Sequence, residues 1–229
     1  RVLFRSAYLE EHVAKQNMKQ RRAFVAGLGA VAAAGAIGAR SADAQGAASD
    51  SFTPTLHPQD DWMTAKKAKH RVVVDVTSAA GWPDAVRFAN NLLQGHKNGW
   101  GVEESDVAVL VCFRHGATPL GYTDVIWSKY GKTIDPKATP PPAVNPYNSG
   151  EEQQLAALAK RGVQFMVCGT ASRGLATRIA GPGGDVEAVL KEMGANLIPS
   201  ARIVPAGVVA VVHAQERGFA LIPVAYGAS

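Results

Sequence analysis

Cys168 is the residue in this sequence whose type and position point most directly to chemistry. It ends the apolar segment 163–168, and Gly169 and Thr170 follow it. In an open α/β sheet, ligands bind just beyond the carboxyl ends of the strands. We expect a small, flexible loop there, whose N–H groups, together with Arg173, favour the reactive thiolate. The alternative is that Cys168 packs as a small buried hydrophobic residue that closes the strand.

A second candidate site follows another apolar segment. The sequence there reads Arg114-His115-Gly116-Ala117-Thr118, which resembles the R-H-G-x-T phosphate site of the histidine phosphatases. That resemblance implies that His115 takes a phosphoryl group and that Arg114 holds it. The family also uses a second histidine at a later strand end, whereas the later histidine here, His213, lies in a helical pattern. A simpler interpretation is an anion-binding loop at the same sheet edge as Cys168.

The chain has two cysteines, Cys112 and Cys168. In an oxidising compartment such a pair can form a disulfide, which makes Cys112 a candidate redox partner. A disulfide needs Cα atoms within roughly 7 Å of each other. The alternative is that Cys112, which precedes Phe113, points into the core. No C-x-x-C or H-x-x-x-H spacing occurs, so we expect no metal site.

Short apolar runs alternate with amphipathic segments along most of the chain. The runs are rich in β-branched residues, as is typical of buried parallel strands, and several of the segments between them end at a glycine. This alternation predicts a three-layer α/β/α sandwich around a mainly parallel five-stranded sheet. The predicted strands are 71–77, 106–113, 163–168, 201–204 and 219–224; one helix begins at 81–84, and others span 123–130, 151–161, 185–193 and 207–217.

Residues 132–150 carry five prolines and are predicted to form a long irregular loop. Loops of this length inside a domain are usually functional lids or disordered segments. The alternative is a surface insertion in extended polyproline form. Residues 45–69 are polar, contain Pro54 and Pro58, and are predicted to be a linker or arm that leads into a domain over 70–229.

The N-terminal part of the chain has the pattern of an export signal. In residues 18–44 a twin arginine precedes a weakly apolar Ala/Gly-rich run and an Ala-x-Ala site, which favours the twin-arginine route to the periplasm. Residues 1–17 are interpreted as an over-extended translation. The alternative, a retained membrane anchor, is disfavoured because the apolar run is shorter than the roughly 20 residues that span a bilayer. We therefore expect no stable membrane span once the signal is removed.

Most of the excess positive charge belongs to this N-terminal segment. Residues 1–44 hold seven of the 24 basic and three of the 19 acidic residues, which leaves 17 basic and 16 acidic residues and a net charge of +1. No basic cluster remains that would indicate nucleic-acid binding. No motif indicates a flavin, nicotinamide or haem site, so we expect no cofactor.

Five segments together resemble the DsrE/DsrF-like superfamily: 87–93 (RFANNLL), 109–116 (VLVCFRHG), 158–170 (LAKRGVQFMVCGT), 198–199 (IP) and 204–219 (VPAGVVAVVHAQERGF). The resemblance implies a three-layer α/β/α domain that forms homo-oligomers. It also implies that a cysteine carries sulfane sulfur as a persulfide and hands it to a partner, and only Cys168 matches that position. The sequence departs from the family at Thr170, where many relatives have asparagine, and at Ala206, where a small hydroxyl residue is usual.

These observations support two hypotheses of different class. The first is a periplasmic sulfur-handling protein, a persulfide carrier or sulfurtransferase, in which Cys168 reacts and Arg114, His115, Gly169, Thr170 and Arg173 bind or stabilise an anion. Its partners would be a sulfur donor or acceptor protein or a small sulfur compound. The second is a non-catalytic module for ligand binding or oligomeric assembly, in which Cys168 only packs. Phosphoryl chemistry at Arg114 and His115 is a remote third.

Overall fold

Five parallel strands form a single sheet in the order β4-β3-β2-β1-β5. The computed structural model describes residues 52–145 and 154–224. The chain divides into two units, Arg1–Phe52 and Thr53–Ser229, and the fold below belongs to the second. The interpretations of residues 1–17 and 18–44 lie outside the described residues. The strands are β1 His70–Val76, β2 Val107–Phe113, β3 Gln164–Cys168, β4 Ala201–Val204 and β5 Ala220–Pro223.

Burial along the strands follows their place in the sheet. Every residue of β2, near the centre, is buried, as expected for a β-branched run covered by helices on both faces. The edge strands β4 and β5 are largely exposed by comparison. The strand order places β1, β2 and β3, the three strands with mostly buried residues, in the interior of the sheet.

The first face of the sheet, which carries Val74, Val111 and Phe165, is covered by most of the helices. The second face, which carries Val73, Cys112 and Met166, is covered by one helix and by a 3₁₀ segment, Pro58–Thr64. The first-face helices are α1 Trp82–Trp100, α2 Asp124–Ile134, α3 Gln154–Lys160, α4 Gly169–Ala180 and α5 Val186–Ala195, and the second-face helix is α6 Gly207–Glu216.

This arrangement follows from the chain path. Strands β1 to β4 are added in one direction across the sheet, and β5 returns to the opposite side of β1. Right-handed crossovers therefore place α6 on the face opposite the other helices. The predicted three-layer α/β/α fold is confirmed, and the sheet is wholly parallel rather than mainly so. Among the described residues, no helix combines the length and apolar character needed to cross a membrane.

The flexible loop expected after Cys168 is wrong, because helix α4 begins directly at Gly169. An apolar stripe at Leu175, Ala176 and Ile179 packs this helix against α5 and α2. Its glycines and hydroxyl residues have weak helix propensity, which is why the sequence pattern concealed it. Two other boundaries move: α5 continues through Gly194 to Ala195, and α2 takes in the first three residues of the predicted loop.

Part of the stretch predicted as a linker or arm packs on the domain. Met63 is buried in the second-face core beneath α6. Trp62 lies beside it, and the guanidinium of Arg202 stacks over the indole ring at 4.1 Å from its centroid. The 3₁₀ segment therefore completes the covering of a face that α6 alone would leave partly open.

The described part of the Pro-rich loop, residues 135–145, is anchored to the domain. Asn145 is buried, its side-chain amide donates to the carbonyls of Leu120 and Tyr122, and its backbone N–H donates to Asp124. Earlier in the loop, the carbonyl of Pro142 lies directly against Gly131 of α2.

The contact between the loop and α2 gives a first prediction. In Gly131→Ala the new Cβ would overlap the Pro142 carbonyl oxygen, so loop or helix must shift, and we expect a loss of roughly 1–3 kcal/mol in the free energy of unfolding. Gly95→Ala in α1 is the matched control, because no atom lies near its Cβ position and a gain of roughly 0.5–1 kcal/mol is expected. Urea denaturation measures both, and equal stability of the two variants would contradict the packing described.

Candidate thiol site

The sulfur of Cys168 lies where the first turns of two helices meet. Cys168 is the N-cap residue of α4, and its Sγ accepts a hydrogen bond from the Ala171 N–H at 3.5 Å. The Gly207 N–H, the first of α6, donates to the same sulfur at 3.2 Å. Both donors carry the partial positive charge of a helix N-terminus, so they stabilise negative charge on the sulfur. The residue as a whole is 6% exposed.

Two glycines allow these elements to approach so closely. A Cβ on Gly169 would lie 2.8 Å from the Val204 carbonyl oxygen and 3.0 Å from that of Pro205. A Cβ on Gly207 would lie 2.7 Å from the Arg114 Cβ and 3.2 Å from the Cys168 Cβ. Glycine at these positions therefore brings the β4–α6 connection against the end of β3. This is a positioning role for Gly169, which the sequence suggested as a ligand-binding residue.

A buried ion pair occupies the same edge of the sheet. Arg114 donates from Nε and Nη2 to the two carboxylate oxygens of Asp75, each at 2.7 Å. The two side chains are 19% and 10% exposed, respectively. The bidentate contact occupies one edge of the guanidinium, and the Asp75 carboxylate neutralises its charge. Arg114 therefore forms part of the wall of the site. Asp75 is not among the site residues expected from the sequence, although a carboxylate within the apolar run Val72–Val76 was a usable signal.

Cys112 lies on the second face, one strand away from Cys168. Its thiol is completely buried and donates a weak hydrogen bond to the Gly207 carbonyl at 3.6 Å. Burial, with a smaller contribution from the negative charge of Asp75, raises the pKa of the Cys112 thiol far above its ordinary range. A buried neutral thiol of this kind is unreactive.

The two cysteines are free thiols, not a disulfide. Cys112 pairs in register with Met166, so Cys168 lies two residues farther along the neighbouring strand. Strand spacing and rise then place the two Cα atoms about 8 Å apart, beyond the roughly 7 Å that a disulfide tolerates. The alternative in which Cys112 points into the core is the one observed.

A second hydrogen-bond chain supports the backbone at Cys168 from the first face. Ser172 donates from its hydroxyl to the Cys168 carbonyl at 2.8 Å, so the Tyr122 hydroxyl, 2.6 Å from Ser172 Oγ, donates to Ser172. Burial raises the pKa of Tyr122 to about 12. The phenol therefore stays neutral across the physiological range and fixes the β3–α4 turn.

The other residues suggested by the sequence lie around Cys168 but are not hydrogen-bonded to its sulfur. Arg173 projects from α4 and pairs with Glu187 at 2.7 Å, and Thr170 is exposed, with its hydroxyl donating to the Pro205 carbonyl at 3.2 Å. His115 follows the Asp75–Arg114 pair, is exposed, and has a left-handed backbone with φ of 50°. His213 lies on α6 beside Asp60. Arg114 and Cys168 are thus brought to one edge, whereas the side chain of Arg173 is engaged elsewhere.

No metal centre is evident in the described residues. Within 52–145 and 154–224, no group of three or more His, Cys, Asp or Glu side chains could hold a metal ion. What the arrangement offers is one thiol with two backbone donors, beside a buried ion pair and a second, deeply buried thiol.

The fold and site define a three-layer α/β/α domain with a cysteine at the carboxyl edge of its sheet. No family model matches the chain, and no curated protein matches it either. A solved structure of the protein of unknown function MTH1491 from Methanobacterium thermoautotrophicum is similar, at 17% identity and a TM-score of 0.43, over 68% of this chain and 99% of that one.

Proposed function

We propose that this protein is a periplasmic sulfur carrier that holds sulfane sulfur as a persulfide on Cys168. The observation that carries the proposal is the convergence of the α4 and α6 N-termini on the Cys168 sulfur, through Ala171 and Gly207. Helix N-termini favour thiolates, and the thiolate is the form of cysteine that attacks sulfur. The resemblance to the DsrE/DsrF-like superfamily assigns the same residue to this role.

The chemistry is thiol exchange and needs no cofactor. The Cys168 thiolate attacks the outer sulfur of a donor persulfide, R–S–SH; the S–S bond of the donor breaks and R–S⁻ leaves. The product is Cys168–S–SH. In the return step an acceptor thiolate attacks the outer sulfur, and the Cys168 thiolate is the leaving group. The donors from Ala171 and Gly207 stabilise the charge that returns to Sγ in that step.

The position of Cys112 suits an exported carrier. Outside the cytoplasm a reactive thiol is exposed to disulfide formation. The strand register holds the two thiols too far apart to cross-link within the fold. Cys168 is therefore kept available for a sulfur donor or acceptor, whether a protein or a small sulfur compound.

A second prediction tests this role. Reduced protein treated with polysulfide should gain one sulfur atom, detected by intact-mass spectrometry and removed by dithiothreitol. Cys168→Ala should lose the adduct completely, because the attacking thiolate is gone. Cys112→Ala is the matched control and should retain it, because the Cys112 thiol is buried and protonated. An adduct that survives Cys168→Ala, or none on the wild type, would refute the carrier role.

The exposed face of α6 favours a second candidate, an oligomeric assembly module. Val208, Val209 and Val212 are 56%, 44% and 46% exposed, while Ala210, Val211 and Ala214 on the same helix are buried. A helix that is apolar all round is normally covered on every side. We propose that a second copy of the chain covers this face, which is compatible with either role for Cys168.

A third prediction concerns this assembly. Val212→Lys would place a charge at the centre of the valine face and should shift the protein from oligomer to monomer by analytical ultracentrifugation. Gln215→Lys, one turn further along α6 and also exposed, is the matched control and should leave the oligomer intact. If wild type and Val212→Lys sediment identically, the valine face is not a self-association surface.

A further inference from the structure

A cavity of about 170 Å³ lies between the 3₁₀ segment and the first two turns of α6. It has a polar end, formed by His57, Asp60 and His213, and an apolar side. The apolar side is formed by Pro205, Val209 and Ala210. The proposed sulfur chemistry uses none of these side chains.

The polar end contains an aspartate–histidine pair. Asp60 is 8% exposed, and its Oδ2 lies 2.7 Å from His213 Nδ1. A carboxylate only accepts hydrogen bonds, so Nδ1 carries a proton and Nε2 is the ring nitrogen left for a ligand. In the part of the chain that the structure describes, Nε2 has no hydrogen-bond partner. The His57 ring lies beside it, with 5.2 Å between the ring centroids.

The other charged groups near His213 are already engaged. Arg217, the C-cap residue of α6, donates from Nη2 to Asp61 Oδ1 at 3.0 Å and to the His57 carbonyl at 2.6 Å. Arg71 of β1 donates to the Arg217 carbonyl, and Arg202 of β4 stacks on Trp62. Glu216 is the last residue of α6. The group free to respond to a ligand is therefore His213 Nε2.

We propose that this cavity binds a small monocarboxylate with a short alkyl chain. The carboxylate accepts a hydrogen bond from the Nε2–H of a protonated His213, whose Nδ1–H continues to donate to Asp60. The alkyl chain contacts Pro205, Val209 and Ala210. With Asp60 already negative, one imidazolium balances one additional negative charge, which disfavours a dianion such as sulfate. The volume admits only a few non-hydrogen atoms.

Binding is coupled to protonation of the ring. Only the imidazolium donates from both ring nitrogens, so a carboxylate selects that form of His213, takes up protons on binding and should bind more weakly as the pH rises.

The test is isothermal titration calorimetry with propionate, in two buffers of different ionisation enthalpy. We expect roughly millimolar affinity, given the small size of the ligand, net proton uptake on binding, and at least tenfold weaker binding of both sulfate and neutral propionamide. His213→Gln and Asp60→Asn should each weaken propionate binding at least tenfold. His70→Gln, a substitution at an exposed histidine of β1, is the matched control and should bind as wild type.

Several outcomes would overturn the proposal: no saturable propionate binding, binding without proton uptake, equal binding of sulfate, or undiminished binding by His213→Gln. Ring ¹⁵N shifts of His213 in wild-type protein give a second test that needs no variant, because propionate should increase the imidazolium fraction of the ring. The site is independent of the sulfur chemistry, so Cys168→Ala should bind propionate normally.

Discussion

Asp75→Leu is expected to lower the free energy of unfolding by about 3 kcal/mol, because removing one partner of a buried pair leaves the other charge uncompensated. Asp75 holds both Nε and Nη2 of Arg114 at 2.7 Å, and neither side chain is more than one-fifth exposed. The leucine fills similar space but accepts no hydrogen bond. Arg114 would have to carry its charge at the edge of an apolar core formed by β1 and β2.

The matched control for this experiment is the double variant Asp75→Leu/Arg114→Met. Replacing both partners with apolar residues removes the unpaired charge, so most of the lost stability should return. Urea denaturation at pH 7, followed by circular dichroism, measures all three proteins. If the single variant is as stable as wild type, or the double variant is less stable than the single, the ion pair does not have the role assigned here.

Gly207→Ala is expected to have the second largest effect, and it acts on both stability and reactivity. The backbone of Gly207 has no positive φ, so alanine is excluded by space alone. The added Cβ would lie 2.7 Å from Arg114 Cβ and 3.2 Å from Cys112 Sγ. Overpacking of this kind costs roughly 1–3 kcal/mol.

The same substitution should slow the chemistry of Cys168. Relieving the overlap moves the first turn of α6 away from β3, which lengthens the hydrogen bond from the Gly207 N–H to the Cys168 sulfur. A hydrogen bond to a charged group contributes roughly 1.5–3 kcal/mol, so its loss should slow alkylation by iodoacetamide at neutral pH about tenfold or more.

Gly174→Ala in α4 is the control for both measurements. No atom lies within 4 Å of its Cβ position, so alanine should raise stability by roughly 0.5–1 kcal/mol and leave the alkylation rate unchanged. Alkylation of Gly207→Ala at the wild-type rate would show that the α6 donor does not activate the thiol, even if the variant is less stable.

Much of the fold could be predicted because the local pattern of apolar and polar residues indicates which side chains are buried. The β-branched run of β2 was found close to its observed bounds, since an element buried on both faces has a distinctive composition. The edge strand β4 was also found at its observed bounds, because Pro205 follows it directly. Helix α4 was missed because Gly169, Thr170 and Gly174 give it weak intrinsic propensity. Its helical state depends on packing against α2 and α5, which no local pattern reports.

The candidate site, too, could be predicted only in part. The position of Cys168 at a strand end was predictable from the sequence, because strand ends face the ligand side of a parallel sheet. The ion pairs Arg173–Glu187 and Arg114–Asp75 could not be predicted, because each depends on which residue the fold places across a helix or strand. Asp75 and Arg114 are 39 positions apart and meet only through the register of β1 against β2.

The sequence by itself determined the order of the strands, the parallel character of the sheet and the place of Cys168 at its carboxyl edge, because continuous β-branched runs separated by amphipathic segments mark strands that are buried on both faces. Only the tertiary structure decided what surrounds the thiol. After β4 the chain crosses back over the sheet to place β5 beside β1, which sends α6 across the second face and directs the Gly207 N–H at the Cys168 sulfur. That contact depends on the path of the whole chain, so it could not be derived from either segment alone.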